Sequence, residues 1–427
     1  MIRSSQHTLK FSNISKRDNL SIFRKEYILA TKAFVNYIWN NGYSWKDKDN
    51  NIQEFNIKDN KLDLPSMLTS DIIEKSNLDT ILTGRALKCC LTQIAGLINA
   101  SVEKQRKRLY MLDKFKKEGK TKKKLDKLIK KIKQNIPQKP NCDRVNIELN
   151  SICCSYQKID SKEFDGFLRL TSITKTKLDI KIPIKHTGHS KKMSSRGTLK
   201  ASFLIRNNSV DFRWEIPDMP KKQNGITVGA DQGMLDVLNM SDRQITPKQD
   251  IHGHSLSSIL DKLCRKKKNS IAFGKAQDHR KNFINWSINS LDFSNICKVN
   301  LERIWNIGYK NPTSKKMSHW TNTLIRDKVE SICEQNGVQL VHQSSTYRSQ
   351  RCSECGIVRK SNRKGKVYTC DNCGLIEDAD YNASKNHEIS LPEIPYDFRN
   401  LNMNKKGFFW LESGLFSLDG RSLQSLL

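Results

Sequence analysis

Four cysteines near the C-terminal end constrain this chain more than any other feature of its sequence. Cys352 and Cys355 stand in "CSEC", and after a gap of fourteen residues Cys370 and Cys373 stand in "CDNC". Each Cys-x2-Cys pair forms a tight turn that aims two thiolates at one point, and the intervening segment is short enough for a hairpin. Four thiolates with no vacant position describe a closed tetrahedral site. The spacing therefore predicts one structural Zn2+ in a zinc ribbon, with metal binding coupled to folding of this segment.

The remaining cysteines and the N-terminal segment indicate where the chain resides. The other eight cysteines share no spacing, and we interpret most of them as small core residues. The first residues include no apolar stretch of the signal-peptide type, and no run of about 18 apolar residues occurs. We therefore expect a protein without a membrane span that stays in the cytoplasm, where thiols are reduced.

The charge balance is the strongest indication of a binding partner. Lysine plus arginine total 75 and aspartate plus glutamate total 44, which gives a net charge of +31. Such an excess produces a field that attracts a polyanion, and nucleic acid is the partner we expect. An anionic membrane surface is the alternative, and single basic clusters are often merely solvated.

One predicted helical arm concentrates this charge. Half of the 30 residues from Lys104 to Lys133 are basic, against three acids, and we expect a helical hairpin broken near Gly119. The apolar stripe of its second helix consists of Leu125, Leu128, Ile129 and Ile132. The lysines that cover much of the remaining surface are Lys122, Lys123, Lys124, Lys127, Lys130, Lys131 and Lys133. Because a solvated helix face normally mixes both signs, we expect this arm to lie along phosphates, with a solvated surface as the alternative.

The hydrophobic pattern changes along the chain and predicts an α+β multidomain protein. Segments 19–46 and 66–100 show helical spacing. From about Asn141 to Pro217 the pattern alternates as in strands, in "RVNIEL", "GFLRLTSI", "KLDIKIPIK" and "TLKASFLIRNNSVDFRWEI", with a hairpin turn at "RNNS". Short strands joined by polar turns predict a small β-barrel or a twisted sheet. The segment "DMPKKQNG", Asp218 to Gly225, marks the main domain boundary.

Beyond this boundary, predicted strands alternate with predicted helices, as in an α/β domain. Strands are expected in "ITVGADQGMLDVLNMSD", "SNICKVNLERI" and "GVQLVHQ", with a basic helical stretch after the first and a helix over about Trp320 to Asn336 before the third. The four-cysteine segment and a short helix follow. The C-terminal tail contains "GFFW" and would pack on this domain, stack on bases or be mobile.

Three carboxylates fall on or next to these elements. Asp231 lies in the first strand of this half, Glu302 lies near the end of a later strand, and Asp380 opens the short helix after the cysteines. Each has a simpler explanation when taken alone. Asp231 would be a turn residue, Glu302 an exposed residue at a strand end, and Asp380 a helix cap, a role that Asp378 or Asn382 would fill as well.

Taken together, the three carboxylates favour a metal-dependent nuclease. In an open α/β sheet such positions can converge at one edge, where like charges raise each other's pKa and require a compensating cation. Two Mg2+ ions roughly four angstroms apart would compensate them, one activating a water and the other stabilising the leaving 3′ oxygen. A ligand set of acids without histidine suits Mg2+.

The second half of the chain resembles the RuvC nuclease domain of TnpB proteins and the related type V CRISPR effectors. "GADQG" is similar to the family's first motif, "VNLERI" to the second, and "TYRSQRCSECG…CDNCG…DADYNAS" to the ribbon and third motif. The likeness covers about Gly225 to His387, and the ribbon with "DADYNAS" is its most specific part. It implies that Asp231, Glu302 and Asp380 are catalytic, Mg2+-binding acids and that the four cysteines are the zinc ligands.

The motifs also depart from the family pattern. Ala230 and Gln232 replace the usual Ile and Leu beside Asp231, Glu302 is not followed by the customary acid and Leu, and Arg348 stands where Thr is usual. None of these departures removes a metal-binding carboxylate, so an active enzyme remains the expectation.

The resemblance implies a domain layout, in which the N-terminal half matches only in its arrangement. Residues 1–18 would hold the first strand of a β-barrel (wedge) domain, near His7 to Asn13, followed by a helical recognition domain over 19–140 and the rest of the barrel over 141–222. An RNase H-like (RuvC) α/β domain would occupy 223–345 and 377–390, on either side of the zinc ribbon at 346–376. Residues 391–427 would form a C-terminal tail.

The function that this resemblance implies is RNA-guided cleavage of DNA. We expect a Mg2+-dependent endodeoxyribonuclease that binds a guide RNA, recognises a short motif beside its target and cuts double-stranded DNA at a single two-metal site. It would be encoded by a prokaryote or a phage and act at the nucleoid. The alternatives are a nuclease-inactive RNA-guided repressor, an RNase H-type transposase, whose acids usually run Asp, Asp, Glu, and a plain zinc-ribbon DNA-binding protein. The guide's origin (a CRISPR array or a transposon-encoded RNA), the target-adjacent motif, the number of strands cut and a monomeric or homodimeric state stay open.

Overall fold

A computed structural model of the protein describes residues 1–59, 63–117, 122–132, 136–176, 178, 180–304, 314–395, 398–399 and 401–423. The chain divides into two compact units, Met1–Pro217 and Asp218–Leu427, at the start of the predicted boundary segment. Within the described residues, no helix has both the length and the apolar character that crossing a membrane requires.

Both units contain helices and strands. The helices are α1 (Ile14–Asn41), α2 (Asp71–Lys75), α3 (Gly84–Lys117), α4 (Lys122–Ile132), α5 (Gly188–Ser194), α6 (Leu256–Arg265), α7 (Ile271–Asn289), α8 (Lys315–His319), α9 (Asn322–Asn336) and α10 (Ala379–Glu388). The strands of the first unit are β1 (Ile2–Thr8), β2 (Tyr43–Lys46), β3 (Ile52–Phe55), β4 (Ile147–Leu149), β5 (Cys154–Lys158), β6 (Gly166–Leu170), β7 (Ile180–Ile184), β8 (Thr198–Ile205) and β9 (Ser209–Glu215). Those of the second unit are β10 (Ile226–Gln232), β11 (Leu238–Met240), β12 (Ile296–Arg303), β13 (Gln339–Ser344), β14 (Ile357–Val358), β15 (Arg363–Lys364), β16 (Val367–Thr369), β17 (Ile376–Asp378), β18 (Phe408–Leu411) and β19 (Gly414–Phe416).

The first unit combines two antiparallel sheets with long helices. One sheet has the order β1-β9-β8-β4 and the other β5-β6-β7, and α1 packs against α3. The predicted hairpin turn is present between β8 and β9, where the Arg206 N–H donates to the Ser209 carbonyl at 2.8 Å. Apolar residues from helices and sheets, among them Phe23, Phe34 and Phe212, form one continuous buried core.

Two sequence-based predictions for the first unit are wrong in their bounds. The strand expected near His7 to Asn13 is β1, which ends at Thr8, and α1 begins at Ile14 because Asn13 caps it by accepting the Lys16 N–H at 3.0 Å. The helix expected over 19–46 ends at Asn41, where Gly42 adopts a left-handed φ of 73°. The β2–β3 hairpin follows directly. The aromatic residues of β2 also fit a helical period, so the sequence pattern includes this strand in the helix.

The basic arm forms two helices, α3 and α4, as the sequence predicts. The Gln105 amide Nε2 donates to the Ile132 carbonyl at 2.9 Å, which ties the end of α4 to the middle of α3. Of the predicted stripe, Ile132 is buried, Leu125 and Leu128 are half-buried and Ile129 is exposed. Gly119 and Lys133, and the side chains of Lys122, Lys123, Lys124 and Lys127, lie outside the described residues.

The second unit is built on a sheet of order β11-β10-β12-β13, in which β10, β12 and β13 run parallel and β11 runs antiparallel to β10. One face of the sheet carries Val228, Ala230, Val299 and Leu301, which join the buried core with α6, α7 and α9. Because side chains alternate along a strand, the residues between them face the other side, where α10 packs. The sheet is therefore covered by apolar helices on one face and by α10 on the other.

The ribbon segment and the C-terminal tail each add a small sheet to the second unit. The ribbon strands pair in the order β15-β16-β17, and the tail hairpin β18–β19 extends β14 in the order β14-β18-β19. Phe408 and Trp410 are buried with Val358 and Phe398, and the Trp410 indole N–H donates to the Pro392 carbonyl at 3.1 Å. The described part of the tail is therefore packed, which is the first of the three alternatives.

Contact between β10 and α10 is so close that it requires glycine. A Cβ added at Gly229 would lie 2.0 Å from the Ser384 carbonyl oxygen and 2.3 Å from the Glu388 nitrogen. Backbone atoms cannot move aside as a flexible side chain can, so any larger residue would push α10 off the sheet.

We predict that Gly229→Ala lowers the free energy of unfolding of the second unit by about 2 kcal/mol or more, because overpacking at this contact displaces α10. The matched control is Gly274→Ala within α7, where an added Cβ meets nothing within 4 Å. That change is expected to be neutral or to stabilise the unit by up to about 1 kcal/mol, because alanine favours a helix over glycine. Chemical unfolding of both variants measures the difference, and equal effects would contradict the close contact.

Candidate metal-binding and active site

The four predicted zinc ligands come together in one cluster. The Cys352 and Cys373 sulfurs lie 3.6 Å apart, the Cys355 and Cys370 sulfurs also lie 3.6 Å apart, and all four lie within 4.8 Å of one another. A tetrahedral ion with Zn–S bonds of about 2.3 Å separates its sulfurs by about 3.8 Å. The arrangement is therefore compatible with one four-coordinate zinc ion.

Two similar turns bring the cysteine pairs together. In the first turn the Cys352 N–H donates to the Ile357 carbonyl at 2.8 Å, and in the second the Cys370 N–H donates to the Leu375 carbonyl at 2.8 Å. Gly356 and Gly374 follow each pair with φ values of 77° and 78°, a conformation that a residue with a Cβ adopts only with strain. The glycine after each Cys-x2-Cys pair is thus part of the fold that aims the thiolates.

Asp231 and Glu302 lie side by side on neighbouring parallel strands. Ala230 pairs with Leu301 in the ladder between β10 and β12, so the next residue of each strand is a carboxylate on the face covered by α10. The Gln232 backbone N–H donates to the Glu302 Oε2 at 3.3 Å, and its side-chain amide donates to the Glu302 carbonyl at 2.8 Å. The structure therefore brings together two of the three predicted catalytic acids at the carboxyl end of the sheet.

Burial and mutual repulsion change the protonation of both acids. Burial, followed by the charges of Glu302 and Asp380, raises the pKa of Asp231 well above its usual value. Burial also raises the pKa of Glu302 to about 7, against the opposing effect of hydrogen bonds from Gln232 and Asp231. Carboxylates that crowd in this way lower their free energy by binding a cation.

Asp380 lies in the first turn of α10 and is only 6% exposed. The residue that caps this helix is Asp378, whose carboxylate accepts the N–H groups of Asp380 at 2.9 Å and Tyr381 at 3.0 Å. Because Asp378 caps the helix, the Asp380 side chain is not needed as a cap. Its charge acts on both Asp231 and Glu302 on the sheet. The two neighbouring acids of "DAD" therefore have different structural roles.

Basic side chains of the ribbon hold Asp380. The Arg363 guanidinium donates to one carboxylate oxygen at 2.7 Å, and the Lys366 ammonium donates to the other. Lys366 also donates to the buried Asp236 at 2.9 Å. The positive charges of Arg363 in β15 and Lys366 in the following turn therefore partly neutralise the carboxylates of Asp231, Glu302 and Asp380.

His387 lies beside the two acids of the sheet. The sequence predicts a ligand set without histidine, and a His387 ring nitrogen lies within 4.8 Å of carboxylate oxygens of Asp231 and Glu302. The side chain is 1% exposed, and its Nδ1 has no hydrogen-bond partner among the described residues. Burial, followed by the charge of Arg348, lowers its pKa well below the usual value, so the ring is neutral and able to donate a lone pair.

The sequence contained partial signals for these additional residues. His387 follows Asp380 by seven positions, which places both on one face of a helix. The basic residues of the ribbon hairpin predict contact of the ribbon with nucleic acid; they are Arg359, Lys360, Arg363, Lys364 and Lys366. In the structure Arg359 is paired with Asp371, and Lys360 and Lys364 are exposed.

Two of the three departures from the family motifs, those beside Asp231 and at Arg348, have a local explanation. Ala230 is fully buried against the apolar helices, and Gln232 binds Glu302 as described above. Arg348 is 3% exposed and donates to the Ser344 carbonyl at 3.0 Å and the Ile389 carbonyl at 3.2 Å, which ties the ribbon entry to the end of α10. None of these residues displaces a predicted ligand.

Two asparagines join α10 to the ribbon. The Asn382 side chain accepts the Ser353 N–H at 2.9 Å and donates to the Arg351 carbonyl at 2.8 Å. The Asn386 amide donates to the Arg351 carbonyl at 2.7 Å. The "NASKN" segment therefore fixes the ribbon's first cysteine turn to the same helix that presents Asp380.

Comparison with known proteins shows that this region is similar to a described domain family. Residues 324–387 match the family model "Cas12f1-like, TNB domain". A segment of 97 residues is 34% identical to a CRISPR-associated endodeoxyribonuclease Cas12f1 of Sulfoacidibacillus thermotolerans and covers 22% of each chain. A segment of 167 residues is 26% identical to a protein of the same name from an uncultured archaeon and covers 36% of this chain and 30% of that one. The matches thus span less than a third of these curated relatives.

Solved structures resemble the chain over most of its length. CasPhi-2 (Cas12j) bound to crRNA matches with a TM-score of 0.52 at 8% identity, over 92% of this chain and 99% of that one. The mini-RNA-guided endonuclease CRISPR-Cas_phi3 matches with a TM-score of 0.50 at 8% identity, over 92% and 94%. At this identity the likeness concerns the fold. The predicted resemblance to compact type V effectors is confirmed.

We predict that Glu302→Gln changes how stability depends on pH in metal-free buffer. Because the pKa of Glu302 is raised, the folded protein binds a proton more tightly than the unfolded one, and the free energy of unfolding falls as pH rises from 4.5 towards about 7. The variant lacks this titration, so its stability relative to the wild type should increase between pH 5 and pH 8. Thermal or chemical unfolding across this range measures it.

The matched control for this titration is Glu330→Gln, an exposed carboxyl group on α9. Its stability relative to the wild type should stay nearly constant over the same range. If Glu302→Gln behaved like the control, crowding at the sheet edge would be contradicted.

Proposed function

We propose that this protein is an RNA-guided DNA endonuclease with a single RuvC-type site that uses two Mg2+ ions and a ribbon that holds one Zn2+. The observation that supports this most directly is that Asp231 and Glu302 lie side by side on adjacent strands, where the charge of Asp380 acts on both from α10. The curated relatives that share this region are named endodeoxyribonucleases. The activity would take place in the cytoplasm, on nucleoid DNA.

The strand order of the second unit supports an RNase H-like core. The sheet has three parallel strands and one antiparallel strand next to β10, and α10 crosses the face that carries the acids. Both features agree with this proposal. In open sheets with parallel strands, ligands bind at the carboxyl ends, which is where Asp231 and Glu302 lie. The helical domain over 19–140 and the barrel over 1–18 and 141–222 complete the proposed layout.

The residues at the sheet edge fit divalent metal ions. Asp231 and Glu302 would provide oxygen ligands whose pKa values are raised by burial and by neighbouring carboxylates, and the charge of Asp380 acts on them from α10. Bound Mg2+ would activate the attacking water and stabilise the leaving 3′ oxygen. Within the chain, Gln232 orients Glu302, and Arg363 and Lys366 fix the Asp380 carboxylate between the ribbon and the sheet.

The charge distribution supports a guide RNA and target DNA as partners. The net charge is +31, and the first unit presents the basic helices α3 and α4. Lys104, Lys116 and Lys117 are exposed on α3, and Lys130 and Lys131 are exposed on α4. A surface of this kind binds phosphates without reading their sequence, so base pairing with the guide would supply specificity.

A nuclease-inactive RNA-guided binding protein is the second candidate. It is favoured by one observation, that both Asp380 oxygens are already paired with Arg363 and Lys366. The two functions share their partners and differ only in cleavage, so a cleavage assay separates them.

We predict that Asp380→Asn lowers DNA cleavage by about 100-fold or more, because the amide removes a charge that stabilises the transition state through the metal ions. The matched change Asp378→Asn should retain cleavage, since asparagine also caps a helix. The measurement is single-turnover cleavage of a DNA library, in Mg2+, by protein purified with the RNA from its native locus.

Three outcomes would contradict the endonuclease. These are the absence of co-purified RNA, cleavage that survives Asp380→Asn and Asp231→Asn, and wild-type protein that binds the matched DNA without cutting it. The last outcome would support the inactive binding protein instead.

We also predict that Cys355→Ser removes one zinc ion per chain and lowers the stability of the second unit by about 4 kcal/mol or more, because the ribbon folds around its metal. Cys264→Ser is the matched control, since Cys264 is half-buried and stands apart from the cluster. Elemental analysis and thermal unfolding measure both effects. Unchanged zinc content in Cys355→Ser would contradict a zinc ribbon.

A further inference from the structure

A second group of metal-ligand residues lies outside the acidic site. Asp250, His254 and His279 place one ligand atom each within 4.8 Å of one another. Asp250 and His254 belong to the loop "DIHGHS" between β11 and α6, and His279 lies on α7. These residues take no part in the proposed nuclease chemistry.

The loop holds Asp250 and His254 in a fixed geometry. Asp250 Oδ1 accepts the N–H groups of His252 and His254, each at 2.9 Å. The Asp250 N–H donates to the His254 carbonyl at 2.9 Å, and Gly253 makes the turn with a φ of 76°. These bonds use Oδ1 and the backbone, so Oδ2 is directed towards the two imidazole rings.

The distances at Asp250 Oδ2 are those of ligands that share one ion. This oxygen lies 3.2 Å from His254 Nδ1 and 3.9 Å from His279 Nε2. Ligands at about 2.0–2.1 Å from a tetrahedral ion are about 3.3–3.4 Å apart, so small side-chain rotations suffice to form the site. The two imidazole rings are 4.8 Å apart and nearly perpendicular, at 89°.

We propose that Asp250, His254 and His279 bind a divalent transition-metal ion, Zn2+ in the first instance, which links the loop after β11 to helix α7. Two imidazoles and one carboxylate suit Zn2+ and disfavour Mg2+ and Ca2+, which prefer oxygen ligands alone. Three protein ligands leave a position for water, as in exchangeable sites and unlike the closed four-cysteine cluster.

The charges around the site set its affinity. Asp250 supplies the negative charge, and its carboxylate is held by the loop bonds described above. The positive charge of Lys262, on α6, acts on His279 and opposes cation binding. The site is therefore expected to bind zinc less tightly than four thiolates do, so the ion would be exchangeable with the medium.

A bound ion would strengthen the link between the loop after β11 and α7, which the contact between Asp250 and His279 already makes. The helices α6 and α7 pack in the core beneath the sheet, and the basic segment Lys266–Lys268 lies between them. An ion bound both by the loop before α6 and by α7 would link the two helices away from the segment that connects them in sequence. The ion would thereby order the insertion that separates β11 from β12.

The test compares zinc bound per chain in the wild type and in His254→Gln and His279→Gln, by equilibrium dialysis of the full-length protein against zinc followed by elemental analysis. Glutamine keeps hydrogen bonding but removes the imidazole ligand. Each variant is expected to bind one zinc ion fewer than the wild type, and the control His342→Gln, at an exposed position on β13, is expected to bind as many. The measured quantity is the difference in bound zinc between variant and wild type, so it does not depend on whether the four-cysteine ribbon is occupied. Cleavage is not used as a readout.

Cobalt substitution gives an independent spectroscopic readout. Co2+ bound to thiolates shows strong sulfur-to-metal charge-transfer bands, whereas Co2+ bound to imidazole and carboxylate shows only weak ligand-field bands. Titration of the wild type should add a second, weak component that is missing in His254→Gln. Equal zinc content in the wild type and both variants, or cobalt spectra that do not differ, would show that Asp250 and His254 form only a hydrogen-bonded pair and would overturn the proposal.

Discussion

The candidate site depends on the close contact between the backbone of α10 and strand β10 at Gly229. Because no side chain separates them, the helix lies close enough to the sheet for a His387 ring nitrogen to be within 4.8 Å of the carboxylates of the two strands and for the charge of Asp380 to act on them. The contact is reinforced at the end of the helix, where the Asn300 amide donates to the Glu388 carbonyl at 3.0 Å. A helix of only ten residues is thus held in place by the sheet beneath it and by the ribbon above it.

Charge compensation explains why the ribbon and the acidic edge are joined. Buried carboxylates in close proximity destabilise a fold unless positive charge approaches them. The ribbon supplies this charge with Arg363 and Lys366, and its position is fixed through Asn382. The same segment therefore organises sulfur ligands on one side and neutralises oxygen ligands on the other. These two roles of the ribbon give a physical reason why Asp378 and Asp380 follow directly after the second cysteine turn.

Residue patterns that act locally could be predicted from the sequence, whereas those that depend on packing could not. The cysteine spacing and the β8–β9 hairpin each rest on a few neighbouring residues, and the structure places them accordingly. The helical period of the sequence extends α1 too far because aromatic residues in β2 also fit it. His387, Asp236 and Lys366 were missed because their roles arise only when α10, the loop after β10 and the ribbon meet in three dimensions. The loop "DIHGHS" carries a dense local signal, but its partner His279 is brought close only by helix packing.

The junction between the ribbon and α10 has a consequence for how such proteins can diverge. Strand β17 ends at Asp378, and α10 begins at the next residue, so the last residue of the ribbon sheet is also the cap of the helix. One inserted residue here would rotate Asp380 by about 100° around the helix axis and turn it away from the sheet. The turn between β15 and β16 lies beside the same joint, because the Ala379 N–H donates to the Lys366 carbonyl at 2.8 Å. Length variation among ribbons of this architecture should therefore be excluded both from this turn and from the joint with the helix, where an insertion or a deletion would displace Asp380.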